Sequence, residues 1–175
     1  MTRTTPDMLI RRHRAGMVRS VAAYSSCGRY RYGLSRRWAA GPVLLYVMLN
    51  PSTATEAAND PTIERCERRA RRLGYSGLGV VNLFAFRATR PQDLMRAADP
   101  VGPLNADVIG LALRHADRVL CAWGVHGSHL GQDRQVLALL RRSDRTLLHL
   151  GLTKGGAPRH PLYVAYASSP ELWAG

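Results

Sequence analysis

Four short apolar segments recur along the chain, and each is followed by a polar or glycine-rich loop. They occupy residues 43–49, 79–84, 118–123 and 146–151 and consist mostly of aliphatic, β-branched and aromatic residues. Continuous apolar runs of this length are typical of strands that are covered on both faces. The pattern therefore predicts four buried strands.

Helical patterns separate these strands. The clearest helix is predicted to begin at Asp60 and Pro61, because aspartate caps free helix amides and proline suits the first helical position, and to end at Gly74. Two further helices are predicted over residues 105–115 and 133–142. Since strand and helix alternate, we expect an α/β fold with three α/β/α layers and a central four-stranded, mainly parallel sheet.

The first predicted helix has one apolar face. Ile63, Cys66, Ala70 and Leu73 share that face, whereas arginines point elsewhere, at positions 65, 68, 69 and 72. We expect the arginines to form a solvated surface, with a binding surface as the alternative.

The first 40 residues have a different pattern. Residues 26–38 alternate aromatic and basic side chains, which predicts a small antiparallel ribbon or arm ahead of the sheet. A chain of 175 residues suits one hydrophobic core. We therefore expect a single domain over residues 1–175, in which residues 1–40 form the arm and ribbon.

Composition narrows the location and the chemistry. The apolar runs are far shorter than the roughly twenty residues of a membrane helix, and the N-terminal segment lacks the apolar core of a secretory signal. We therefore expect a cytoplasmic protein.

Cys27, Cys66 and Cys121 are isolated, and the sequence motifs of P-loop, dinucleotide and serine-hydrolase sites are missing. We expect free thiols, no metal and no cofactor.

The strong basic charge points to a polyanionic partner. The formal net charge is +13, from 25 basic residues, nearly all arginine, and 12 acidic ones. Arginine-rich surfaces bind phosphate backbones through bidentate contacts and counterion release. The alternative is an arginine bias of a basic proteome or a GC-rich genome.

Polar residues follow the predicted strands, where ligands bind in open parallel sheets. Asn50 is held extended by the next proline and could orient a water or a base edge, or close a turn through its own side chain. Asn82 lies in an apolar run, where an unpaired amide costs about 1–3 kcal/mol, so a ligand or the backbone must satisfy it.

His160 follows a glycine pair and lies near Lys154 and Arg159 in the sequence. It could donate to an oxyanion or a phosphate, or be an ordinary surface histidine. The sequence thus predicts one cleft around Asn50, Asn82 and His160.

Segments over nearly the whole chain resemble an uncharacterised bacterial and phage family, domain of unknown function 1643. They are MLNPSTA (48–54), NDPT (59–62), NLFAFRAT (82–89), PVGPLN (100–105), AWGVHG (122–127) and GLTKGGAPRHPLY (151–163). This resemblance carries no reaction with it.

The order of four shorter motifs is similar to the uracil-DNA glycosylase superfamily. The motifs are LNPS (49–52), VNL (81–83), LCAWG (120–124) and HPL (160–162). The resemblance implies that Asn50 orients the attacking water, Asn82 hydrogen-bonds a flipped base and His160 stabilises the departing base.

The same resemblance assigns the remaining roles. It implies base contacts from Pro51, Phe84 and Tyr46, and DNA contacts from Ser52, Arg87, Lys154, Arg159, Leu162 and Tyr163. Leu162 or Tyr163 would fill the gap in the duplex, and the basic side chains would hold phosphates. The aromatic residue on which that superfamily stacks its base is not evident, so we expect Phe84 or Tyr46 to substitute. The His-Pro motif also lacks the usual phosphate-gripping serine. These departures favour a modified base, or a nucleotide outside DNA, over uracil.

These observations predict a cofactor-free DNA base glycosylase, which flips a damaged or modified base and hydrolyses its N-glycosidic bond. We expect single- or double-stranded DNA as the partner, no membrane association and a monomeric protein. Two alternatives stay open: a noncatalytic nucleic-acid-binding protein with the same fold, and an enzyme that acts on free nucleosides or nucleotides.

Overall fold

One mixed sheet of eight strands runs through the computed structural model, which describes residues 7–174. The strands are β1 (Met8–Ala15), β2 (Val18–Ser25), β3 (Arg31–Arg37), β4 (Val43–Met48), β5 (Gly77–Asn82), β6 (Arg118–Cys121), β7 (Thr146–His149) and β8 (Glu171–Leu172). Their order across the sheet is β1-β2-β3-β5-β4-β6-β7-β8.

The four strands predicted from apolar runs are β4, β5, β6 and β7. They pair in parallel in the order β5-β4-β6-β7. Antiparallel pairs extend the sheet on both sides, namely β1/β2, β2/β3, β3/β5 and β7/β8. The fold is α/β as expected, but a four-stranded, mainly parallel sheet was wrong, because four of the seven pairings in the described chain are antiparallel.

The N-terminal segment belongs to the main sheet and is not a separate ribbon, because β3 pairs with β5. Two strands, β1 and β2, precede the region in which a ribbon was expected. The sequence pattern did not indicate strand β1, because this segment is rich in arginine and all of its residues are exposed except one that is half-buried. Its hydrogen bonds to β2 define it instead. Residues 1–6 of the expected arm lie outside the described residues.

Helices cover both faces of the sheet. They are α1 (Pro61–Arg72), α2 (Pro91–Arg96), α3 (Asn105–Arg114) and α4 (Gln132–Arg141). Ile63 and Cys66 of α1 pack in one apolar core, whereas Ile109 of α3 and Val136 of α4 pack in the other. The predicted start of α1 is confirmed, because Asp60 Oδ1 accepts a hydrogen bond from Ile63 N at 2.9 Å.

No helix within residues 7–174 is long and apolar enough to cross a membrane. The expectations of a single domain and of a cytoplasmic location stay predictions.

The arginine surface of α1 departs from expectation at Arg69. This side chain is 1% exposed and donates from Nη2 to Ala165 O at 2.8 Å, whereas Leu73, expected inward, is 39% exposed. The guanidinium groups of Arg65 and Arg69 lie over the Tyr166 ring, at 4.8 and 5.6 Å from its centre. Helix α1 therefore holds the segment that follows His160.

Candidate functional site

A cavity of about 700 Å³ opens at the carboxyl ends of the parallel strands. The loops after β4, β5, β6 and β7 all line it. Backbone hydrogen bonds tie these loops together in pairs: Ala88 N donates to Pro51 O at 3.0 Å, and Gly124 N donates to Pro158 O at 2.8 Å. The structure thus brings the Asn50, Asn82 and His160 side chains to the wall of one cavity.

Asn82 is the last residue of β5 and lies beside Met48, its partner in the parallel register. Its side chain is 2% exposed and lines the cavity. Neither Nδ2 nor Oδ1 has a hydrogen-bond partner among the described residues. Each buried unpaired group costs about 1–3 kcal/mol, so a ligand or a water that satisfies both atoms would gain that energy back.

Asn50 has a fixed orientation at the start of the first loop. Its Nδ2 donates to Pro51 O at 3.0 Å and to Ala88 O at 2.8 Å. The amide nitrogen therefore closes the turn and joins two loops, and Oδ1 remains as the acceptor of a side chain that lines the cavity. A water that donates to Oδ1 would be held in a defined place.

His160 is half-buried, and its Nδ1 accepts a hydrogen bond from Leu162 N at 3.3 Å. This bond requires an unprotonated Nδ1, so the neutral ring carries its proton on Nε2 and can donate it. Burial lowers the pKa of His160 below its ordinary value, and the nearby Asp60 carboxylate opposes that effect. The site thus holds a neutral imidazole at pH 7 with one donor available.

Five other predicted residues also line the cavity: Ser52, Lys154, Arg159, Leu162 and Tyr163. Tyr163 is 80% exposed, and its ring centre lies 6.0 Å from that of His160. Lys154 and Arg159 are exposed, and Arg159 Nε donates to Leu152 O at 3.2 Å. These side chains form a rim that is both basic and aromatic.

Four predicted residues lie outside the cavity: Pro51, Tyr46, Phe84 and Arg87. Tyr46 and Phe84 are fully buried in the two apolar cores, and the Tyr46 hydroxyl donates to Cys66 O at 3.2 Å. Arg87 Nη1 donates to Gly28 O at 3.3 Å. The structure therefore does not bring these four residues to the cavity wall, and their expected contacts with a base or with phosphates stay predictions.

The cavity also contains residues that were not predicted as site residues, chiefly Arg31, Asp60 and Trp123. Asp60 was recognised only as a helix cap. Trp123 lies at a predicted strand end and is 3% exposed, and Gly127 makes room for its ring, because any Cβ there would collide with it. Arg31 carried no signal, since it comes from β3, whose pairing with the parallel strands was not foreseen.

Among the charged residues that line the cavity, basic ones outnumber acidic ones. Asp60 is the one carboxylate among the described residues that line it, against Arg31, Lys154 and Arg159. No group of three or more histidine, cysteine, aspartate or glutamate side chains suited to a metal ion occurs in the described part of the chain. The arrangement favours a ligand with negative charge.

The model of a protein family, described as Protein of unknown function (DUF1643), matches residues 31–162. The chain belongs to the DUF1643 family. The match extends from β3 through His160 and includes nearly the whole cavity wall of this DUF1643 protein. No curated protein and no solved structure matches the chain.

Proposed function

We propose that this DUF1643 protein flips a damaged or modified base out of DNA and hydrolyses its N-glycosidic bond. The observation that carries the proposal is the Asn82 amide, buried at the cavity wall with its donor and its acceptor both unpartnered. A nucleobase edge presents neighbouring donors and acceptors, which would satisfy both atoms. Because such an edge is paired inside a duplex, the base must leave the stack to reach Asn82.

Asn50 and His160 supply the two remaining parts of such a reaction. Asn50 Oδ1 would orient a water toward C1′ of the sugar, but a neutral amide does not take its proton. As the glycosidic bond breaks, the base leaves with the bonding electrons and the water oxygen bonds to C1′. His160 Nε2–H would donate to the negative charge that develops on the base, and the released water proton passes to solvent.

The rim suits a nucleic-acid strand. Lys154 and Arg159 are exposed beside the opening, where they would contact phosphates on either side of the flipped nucleotide. Leu162 and Tyr163 lie next to His160 and would occupy the space that the base vacates. The net charge of +13 adds attraction that does not depend on sequence.

The test uses oligonucleotides that carry uracil, hypoxanthine or modified pyrimidines, as single strands and as duplexes. Alkali then cleaves any abasic site that the protein has made. We expect cleavage with at least one substrate and its loss in Asn50→Ala, with DNA binding retained. Gln135→Ala, which removes an exposed amide on α4, is the matched control and is expected to cleave like the wild type.

Other outcomes separate the alternatives. DNA binding that weakens steeply with salt but gives no product across the panel would favour a noncatalytic nucleic-acid-binding protein. Hydrolysis of free nucleosides or nucleotides, with oligonucleotides left intact, would favour an enzyme that acts on small substrates.

A further inference from the structure

Arg31 is a buried cation on the cavity wall. It is the first residue of β3 and is 2% exposed. Its Nη1 donates to the Ala54 carbonyl, whereas its Nε has no partner. The ion pairs found in the described part of the chain join other residues, so no carboxylate lies within 4.0 Å of its guanidinium. A buried charge in this state is unfavourable until an anion joins it.

Other groups that line the same cavity also suit an anion. Ser52, Thr53 and Thr62 line the same cavity, and Thr62 lies in the first turn of the 12-residue helix α1, whose N-terminus carries partial positive charge. Asp60, the one carboxylate among the described lining residues, accepts hydrogen bonds at both oxygens from backbone amides, Ile63 N at 2.9 Å and Ala54 N at 3.1 Å.

Burial lowers the pKa of Arg31 to about 10, and the Asp60 carboxylate opposes this effect. The guanidinium therefore keeps its charge at pH 7. A second buried arginine shows what a structural role looks like: Arg69 lies outside the cavity, over the Tyr166 ring, and holds backbone carbonyls of the following segment. Both arginines have buried nitrogens without a partner, and Arg31 differs because it lines the open cavity.

We infer that Arg31 forms an anion subsite inside the cavity, which receives a phosphate or carboxylate group of the nucleotide substrate. The inference rests on the proposed function, because it takes a nucleotide unit as the substrate. Guanidinium groups bind both anions through paired hydrogen bonds. The anion comes either from a phosphate of the flipped nucleotide, drawn below the rim, or from a carboxyl substituent on the base.

Two pairs of probes separate these sources in calorimetric binding experiments. The first pair is deoxyuridine and deoxyuridine 5′-monophosphate, and the second is 5-methyldeoxycytidine and 5-carboxydeoxycytidine. We expect the wild type to bind the anionic member of one pair about 10- to 100-fold more tightly, as for a hydrogen bond to a charged group. The pair that shows the preference identifies the source of the anion.

Arg31→Met is expected to remove that preference while it binds the neutral members like the wild type. Arg134→Met, which removes an exposed arginine from α4, is the matched control and is expected to keep it. If thermal unfolding shows that Arg31→Met is not folded, Arg31→Lys replaces it. That variant keeps the charge and loses the paired geometry, so we expect a preference weakened by about tenfold.

Equal affinity within both pairs would overturn the subsite, and so would a preference that is undiminished in the variants of Arg31. Failure to bind any of the four probes would overturn it as well. These readouts need no turnover. Base release without an anion preference would refute the subsite alone, whereas an intact preference without base release would refute the proposed glycosylase alone.

Discussion

Two buried asparagines lie on opposite faces of the sheet at the end of β5. Asn105, fully buried on the α3 side, donates from Nδ2 to Asn82 O and Leu83 O, both at 3.0 Å, although its Oδ1 has no partner. Asn82 is equally buried on the α1 side, yet its whole amide is unpartnered and borders the cavity. Equal burial therefore serves two purposes: one amide supports the backbone, and the other is available to a ligand.

The difference between the two asparagines has a local cause. Strand β5 ends at Asn82, and side chains from the opposite face of the sheet donate to the carbonyls of Asn82 and Leu83. Asn105 Nδ2 donates to both carbonyls, and Gln132 Nε2 donates a further hydrogen bond of 3.0 Å to Leu83 O. Because α3 and α4 supply these donors from the other face, the irregular loop keeps its shape without drawing on the Asn82 side chain.

Within this comparison the largest effect is expected from Asn82→Leu, which removes the amide and keeps the branched shape of the side chain. The rate of base release should fall about 100- to 1,000-fold, as when one oriented polar group is lost from an active site. The free energy of unfolding in urea should stay the same or rise, because two unpaired polar atoms disappear. A clear loss of stability would show that the amide is already satisfied, and the contrast with Asn105 would then fail.

Asn105→Leu should show the reverse. Two backbone carbonyls lose a donor, so we expect the free energy of unfolding to fall by about 1–3 kcal/mol. Activity per folded molecule should fall much less than in Asn82→Leu, measured under conditions where both variants are folded. If both variants lost activity and stability to the same extent, the two asparagines would not differ in their roles.

His160 extends the comparison to the other side of the cavity. Burial lowers its pKa in the folded protein, so between that value and 6.5 the unfolded chain binds more protons than the folded one. Stability therefore rises with pH through this window and is lost as the pH falls. Urea unfolding between about pH 5 and 8 should be less pH-dependent in His160→Gln than in the wild type.

The smallest effect is expected on the solvent side of α1. Arg68 Nε lies 2.6 Å from Glu64 Oε1, but the two side chains are 66% and 44% exposed. Arg68→Ala should change the free energy of unfolding by less than about 1 kcal/mol and leave base release unchanged. A strong loss of base release or of DNA binding in this variant would instead favour the interpretation of the α1 arginines as a binding surface.

Local patterns in the sequence predicted much of the architecture. The apolar runs located β4 to β7, and Asp60 with Pro61 located the start of α1, because side-chain periodicity and helix capping depend on neighbouring residues alone. The same patterns placed Asn50 and Asn82 at strand ends and His160 in the loop after the fourth strand, and in a parallel sheet the carboxyl ends of the strands lie at one edge.

Tertiary structure alone decided the rest. Pairing between distant strands brought Arg31 of β3 into the cavity and made the sheet eight-stranded, and helix packing buried Arg69 beneath the segment after His160. Tertiary packing also buried Tyr46 and Phe84 in the two apolar cores. These outcomes depend on register and on contacts between residues far apart in the chain, which no local pattern of apolar and polar residues encodes.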